Sequence, residues 1–272
     1  MWGFWKKKEP LNRRWLYIAL AAFVAMLVVN AIAGSTNWMG GVTTAEVSDS
    51  FPNLFAPAGY TFAIWGVIYL ALTVFVARLF GVVRTDKKPL ATKQLNEVVK
   101  LFAVSSLLNA AWLFAWQYKV MWLSVILMVL LLVVLLKIFH MLHTQTMGPK
   151  ERLFVGVPFS IYAGWISVAT IANVTTWLAS IQWNGWGLSD GTWMVAVLLV
   201  GAVIGLVTAL RFKDWVYLVV FVWAYAGILV KHLSPAGFDG KYPSTIVALT
   251  ILLAVFVSVG ISIASSRVVR SR

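Results

Sequence analysis

Eight apolar runs dominate this chain, and each is long enough, or nearly so, to cross a bilayer as a helix of about 18–20 residues. They predict spans at roughly 15–33, 58–80, 98–117, 120–140, 153–178, 192–211, 214–231 and 243–265. The runs do not alternate as β-barrel strands do, so the expected fold is all-α: a polytopic membrane helical bundle. The seventh run, "DWVYLVVFVWAYAGILVK", is short for a span. Composition agrees, because a soluble domain with 61% hydrophobic and 11% charged residues would expose a large apolar surface. There is no cysteine, which excludes disulfides and thiol chemistry. The first run follows a basic flank but has no clear small-residue cleavage site, so a retained span is expected rather than a signal peptide.

Charge placement sets the orientation. With the N-terminus inside, 19 of the 22 Lys and Arg residues fall in inside segments, and only Lys119, Lys231 and Lys241 fall outside. That bias predicts both termini cytoplasmic, and a bacterial cytoplasmic membrane fits it best. The net charge of +13 is therefore read as a topology signal with a secondary affinity for anionic lipid, not as a nucleic-acid footprint. Two outer loops, 35–57 and 178–193, lack Lys and Arg and together hold four Trp. Such loops are expected to fold over the mouth of the bundle.

Every Asp and Glu lies in a loop or at a span end, which disfavours an ion-coupled transporter. His140 and His143 are spaced i, i+3 but have no third ligand nearby in sequence, so they read as interfacial residues and no metal site is expected. Nucleophile-elbow, phosphate-loop and zinc-protease motifs are absent, and no catalytic group is evident.

What remains is aromatic. Of the 15 Trp residues, Trp2, Trp5, Trp15, Trp193 and Trp215 suit an interfacial belt. Others form stripes inside the spans at helical spacing. Phe62, Trp65 and Tyr69 lie in the second span, and Asn109, Trp112 and Trp116 in the third. Tyr162, Trp165, Ala169 and Asn173 share a face of the fifth, with Thr170 and Trp177 beside it. One such stripe would be ordinary packing. Three at one depth, with Trp165 and Asn109 set deeper, could surround a cavity in the outer half, roofed by 35–57. Gly156, Ser160 and Gly164, and likewise Gly201 and Gly205, read as close-packing seams between helices.

These motifs resemble the tryptophan-rich sensory protein family (TspO/MBR, the translocator-protein or peripheral-type benzodiazepine receptor family). Pro57 leads to Trp65 and Tyr69, Leu108-Asn109 to Trp112, and Tyr162 to Trp165, Asn173 and Trp177, in the family's order and spacing. The resemblance covers about 15–180, suggesting a five-helix unit at 1–180 and three additional helices at 181–272. Two family prolines are missing, with Leu113-Phe114 and Ile161 in their places and Pro158 about one turn before the fifth-span Tyr. The resemblance implies an aromatic pocket for tetrapyrroles such as porphyrin or similar flat apolar ligands, with no cofactor required and a homodimer open as a partner state. It also implies that Trp65 and Trp165 would be the catalytic pair if the protein degrades porphyrin with light and oxygen. Binding or sensing is the reading favoured here, with transport and porphyrin breakdown as alternatives.

Overall fold

The computed structural model describes residues 11–35, 39, 41–84 and 90–270. Trp2, Trp5 and the basic residues Lys6, Lys7, Lys8, Lys87, Lys88 and Arg272 lie outside the described residues. In chain order the elements are α1 (Arg13–Ser35), α2 (Thr44–Asp49), a 3-10 turn (Gly59–Ala63) and α3 (Ile64–Leu79). Then come α4 (Thr92–Gln117), α5 (Met121–His143), the single turn α6 (Pro149–Glu151), a π turn (Arg152–Gly156) and α7 (Val157–Ser180). A second 3-10 turn (Gly185–Gly187) precedes α8 (Asp190–Phe212), α9 (Trp215–Leu233) and α10 (Pro243–Arg270).

Eight helical stretches are long and apolar enough to cross a membrane, as the runs predict. The third begins at Thr92 rather than 98, and the fifth stretch at Pro149 rather than 153. Their first turns carry Gln94, Asn96 and Glu97, or Lys150 and Arg152, polar residues that hydropathy does not count as helix. Eight crossings return the chain to the end where it started, so Arg13, Arg78, Arg152, Arg211 and Lys213 share a basic end. The loops at 41–58, 181–189 and 234–242 share the other.

Packing runs as a chain of neighbours: α1 on α4, α4 on α5, α5 on α7, with α3 against α7 and α1. The last three helices join through α9, which packs on α7, on α8 and on α10. Small residues permit that contact. An ideal Cβ on Gly164 would sit 3.0 Å from the backbone oxygen of Tyr217, and one on Gly205 would sit 2.8 Å from the Phe221 ring. Gly164, Gly201 and Gly205 thus form close seams against α9, as expected from sequence, whereas a Cβ on Gly156 would meet only Arg152 and Met147. The widened turn at 152–156 ends just before Pro158, where the Val157 amide bonds back to Arg152 O. Proline crowds the preceding turn and offers no amide, so the irregularity falls at the basic end. From Val157 to Ser180 α7 is continuous, and so is α4 through Leu113 and Phe114.

Two buried carboxylates hold the basic end. Glu151, fully buried, accepts from Arg78 Nε at 3.0 Å, Arg78 Nη2 at 3.2 Å and the Leu90 amide at 3.1 Å. Asp214 caps α9, accepting from the amides of Val216 and Tyr217 at 2.9 and 3.2 Å. Its other oxygen accepts from Ser160 Oγ and lies 2.6 Å from His143 Nε2. His143 is therefore tied to Asp214 across two helices, a partner invisible in its local sequence. Among the described residues no group of three or more His, Cys, Asp or Glu could hold a metal ion.

Burial pushes the Asp214 carboxyl up, but the bonds from His143, Ser160 and the Tyr217 amide outweigh it and hold the group below its ordinary value. A carboxyl lowered by folding stabilises the protein fully above about pH 3.9, and that contribution fades as pH falls through the lowered value. As pH falls from about 5 through the lowered value, the thermal midpoint of the wild type should therefore drop more steeply than that of Asp214→Asn. Parallel pH profiles would contradict this account of the cap.

Candidate functional site

The aromatic stripes converge on Trp65. Its indole stacks on Trp112 (centroids 5.7 Å apart, planes at 28°) and on Tyr69 (5.6 Å, 24°). It meets Trp165 and Tyr162 edge-on at 6.2 and 6.3 Å. Trp112 stacks in turn on Trp116 at 5.8 Å, and Phe62 meets Trp165 edge-on at 6.2 Å. One column of rings thus runs from α3 into α4, with α7 presenting ring edges to its side. Trp165, expected from the spacing to lie deeper, touches Trp65 directly.

Hydrogen bonds orient the column. Trp112 Nε1 donates to Asn173 Oδ1 at 2.8 Å, and Asn173 Nδ2 donates to Ser124 Oγ at 2.7 Å. Trp116 Nε1 donates to the backbone oxygen of Thr44 at 3.1 Å, which joins the column to the loop above it. Behind Trp65, Tyr69 donates to Asn30 Oδ1, and Asn30 Nδ2 donates to Asn109 Oδ1 at 3.0 Å. Buried amides and hydroxyls of this kind are costly unless paired, so these bonds fix ring positions as well as helix contacts. Trp165 Nε1 is buried and has no hydrogen-bond partner among the described residues.

Beside the column lies a cavity of about 40 Å³. Of the residues expected from sequence it is lined by Phe62, Trp65, Trp112, Trp116, Trp165, Ala169 and Asn173. Tyr69, Asn109, Tyr162 and Trp177 do not line it. Tyr69 and Tyr162 contact Trp65 instead, Asn109 is fully buried in the amide network, and Trp177 packs against the core. The loop forms the roof, with Thr44, Ser48, Phe55 and Pro57 facing the cavity. Within it α2 is held by a capping box, in which Glu46 N–H bonds Thr43 Oγ1 and the Thr43 amide bonds the Glu46 carboxylate.

Sequence reasoning did not find Asn30, Met128, Ala224 or Ile228. Asn30 had a signal, since it is the one carboxamide in the first span. Met128, Ala224 and Ile228 had none, because apolar wall residues and lipid-facing residues are of the same types. The last two come from α9, outside the 1–180 stretch to which sequence had confined the site. A second cleft, of about 260 Å³, opens at the basic end among Leu142, His143, Arg152, Phe212, Asp214 and Trp215. None of the stripe residues reaches it.

A family model described as "TSPO-like protein" matches residues 15–263, from the start of the first span into the eighth. No curated protein and no solved structure matches the chain.

Proposed function

Because the chain belongs to the TSPO-like family and is an integral, multi-pass membrane protein, we propose that it binds a flat apolar ligand of the tetrapyrrole class in the cavity beside Trp65. The observation that carries the reading is the stacked Trp65–Trp112–Trp116 column beneath a protein roof. Indole faces recognise a planar conjugated ring by stacking and hardly discriminate among its apolar substituents. The unpaired Trp165 N–H supplies a polar contact for an acceptor at the ring's edge.

The cavity as closed is small. About 40 Å³ holds roughly three waters, whereas pockets for drug-sized ligands run to about 300–1,000 Å³. A macrocycle therefore enters only when the roof lifts and the ring column parts. Binding is coupled to opening, and its rate will be set by the roof.

Titration of the detergent-solubilised protein with protoporphyrin IX in the dark, followed by quenching of Trp emission, tests the reading. Saturable quenching is expected in the wild type. In the Trp65→Phe/Trp165→Phe double variant it should weaken roughly tenfold or more, since each aromatic contact contributes about 0.5–1.5 kcal/mol. Linear quenching, equal in the two proteins, would mean that the porphyrin only partitions into the micelle. A repeat under light in air distinguishes binding alone from breakdown of the porphyrin.

A further inference from the structure

We infer that α9 is the ligand-size wall and the roof fastener of the aromatic pocket; this rests on the binding reading above. Ala224 and Ile228, one turn apart on α9, line the cavity together with the rings. The neighbouring positions of the same helix hold the roof and the entry to α3 at four points. Trp223 Nε1 donates to Thr61 O at 2.9 Å, and the Tyr60 ring lies edge-on to Trp223 at 5.8 Å. The Ala58 amide donates to Gly227 O at 3.0 Å. Lys231 pairs with Asp49 at the end of α2, and His232 Nε2 lies 3.0 Å from Leu54 O.

Gly227 shows how close the approach is, since a Cβ there would run into the Thr61 side chain. Three of the contacts take up backbone groups of 54–61, a segment outside regular α-helix whose polar groups need partners once buried. Roof and α9 must therefore part together. What the cavity admits depends on side-chain volume at 224 and 228, and how fast it exchanges depends on the fastening at 231 and 232.

The test uses the full-length protein, protoporphyrin IX in the dark, and both equilibrium and stopped-flow quenching. Ala224→Phe should weaken binding at least about tenfold by filling the wall. Ile228→Ala should tighten it several-fold, although removing a buried side chain destabilises the fold. That opposite sign separates a wall from a merely structural residue, and it remains informative if Ala224→Phe does not fold. Lys231→Met should raise association and dissociation rates together, each roughly threefold, with little change in Kd, as loss of a partly exposed ion pair permits. Saturable wild-type binding with Ile228→Ala and Lys231→Met indistinguishable from it would overturn the α9 inference alone. Absence of saturable wild-type binding would overturn the binding reading and this inference with it.

Discussion

Arg78→Ala is expected to cost the folded protein about 3–5 kcal/mol, the effect of removing one partner from a buried ion pair. Glu151 has no exposed surface, and among the described residues two of its three hydrogen bonds come from the Arg78 guanidinium. Among the described residues the variant leaves that carboxylate facing protein with the Leu90 amide alone to answer it. Glu151→Gln should cost less, because the amide is neutral and its oxygen still accepts from Leu90. Replacing both residues by apolar ones of similar size should recover most of the loss, since the pair's own desolvation cost disappears with it. Unfolding midpoints in mixed micelles, measured for the two single variants and the double, check the order. A loss of under about 1 kcal/mol for Arg78→Ala would show that water reaches Glu151.

Gly164→Val is expected to destabilise by about 1–3 kcal/mol through overpacking, and to loosen the ligand pocket as well. The atom it meets is a backbone oxygen, that of Tyr217, at 3.0 Å from the new Cβ, with the Val220 side chain at 3.1 Å. A side chain can rotate away, but the first turn of α9 moves only as a whole. Moving it withdraws Ala224 and Ile228 from the cavity and so widens it, and porphyrin binding should tighten even as stability falls. Gly66→Ala is the control. Nothing lies within 4 Å of its Cβ, and an alanine in a helix interior gains about 0.5–1 kcal/mol over glycine. Equal midpoints for Gly164→Val and wild type would mean that the α7–α9 seam has slack.

How legible the protein is from sequence depends on what each residue has to do. Spans were legible because lipid asks for uninterrupted apolar runs, and even the short seventh run forms α9. Their ends were not, because Gln94, Asn96 and Glu97 continue α4 in a polar environment where hydropathy carries no helix signal. The ring column was legible because large aromatics repeat at helical spacing, and Phe62, Trp65, Trp112, Trp116 and Trp165 do meet around one cavity. Spacing along single helices could not show that Tyr69 and Tyr162 would flank Trp65 while Trp177 stays outside the cavity wall. Nor could it pair His143 with Asp214, which are 71 residues apart. The role of α9 was hidden for a plainer reason. Alanine and isoleucine on a membrane helix look alike whether they face lipid or a ligand, and only the packed bundle tells them apart.

The cap at Asp214 has a mechanical consequence. α9 is pinned there by Ser160 and His143, and it bears on the roof and cavity at its far end. Ile228 stands 14 residues along, about 21 Å at 1.5 Å per residue. A stiff rod held at one end and pushed at the other is a lever, and Asp214 is its fulcrum. A ligand that displaces Ile228 by about 1 Å tilts the rod by only about 3°. On the proposed binding reading, pocket occupancy would reach the basic end of the bundle as a small rotation about a carboxylate.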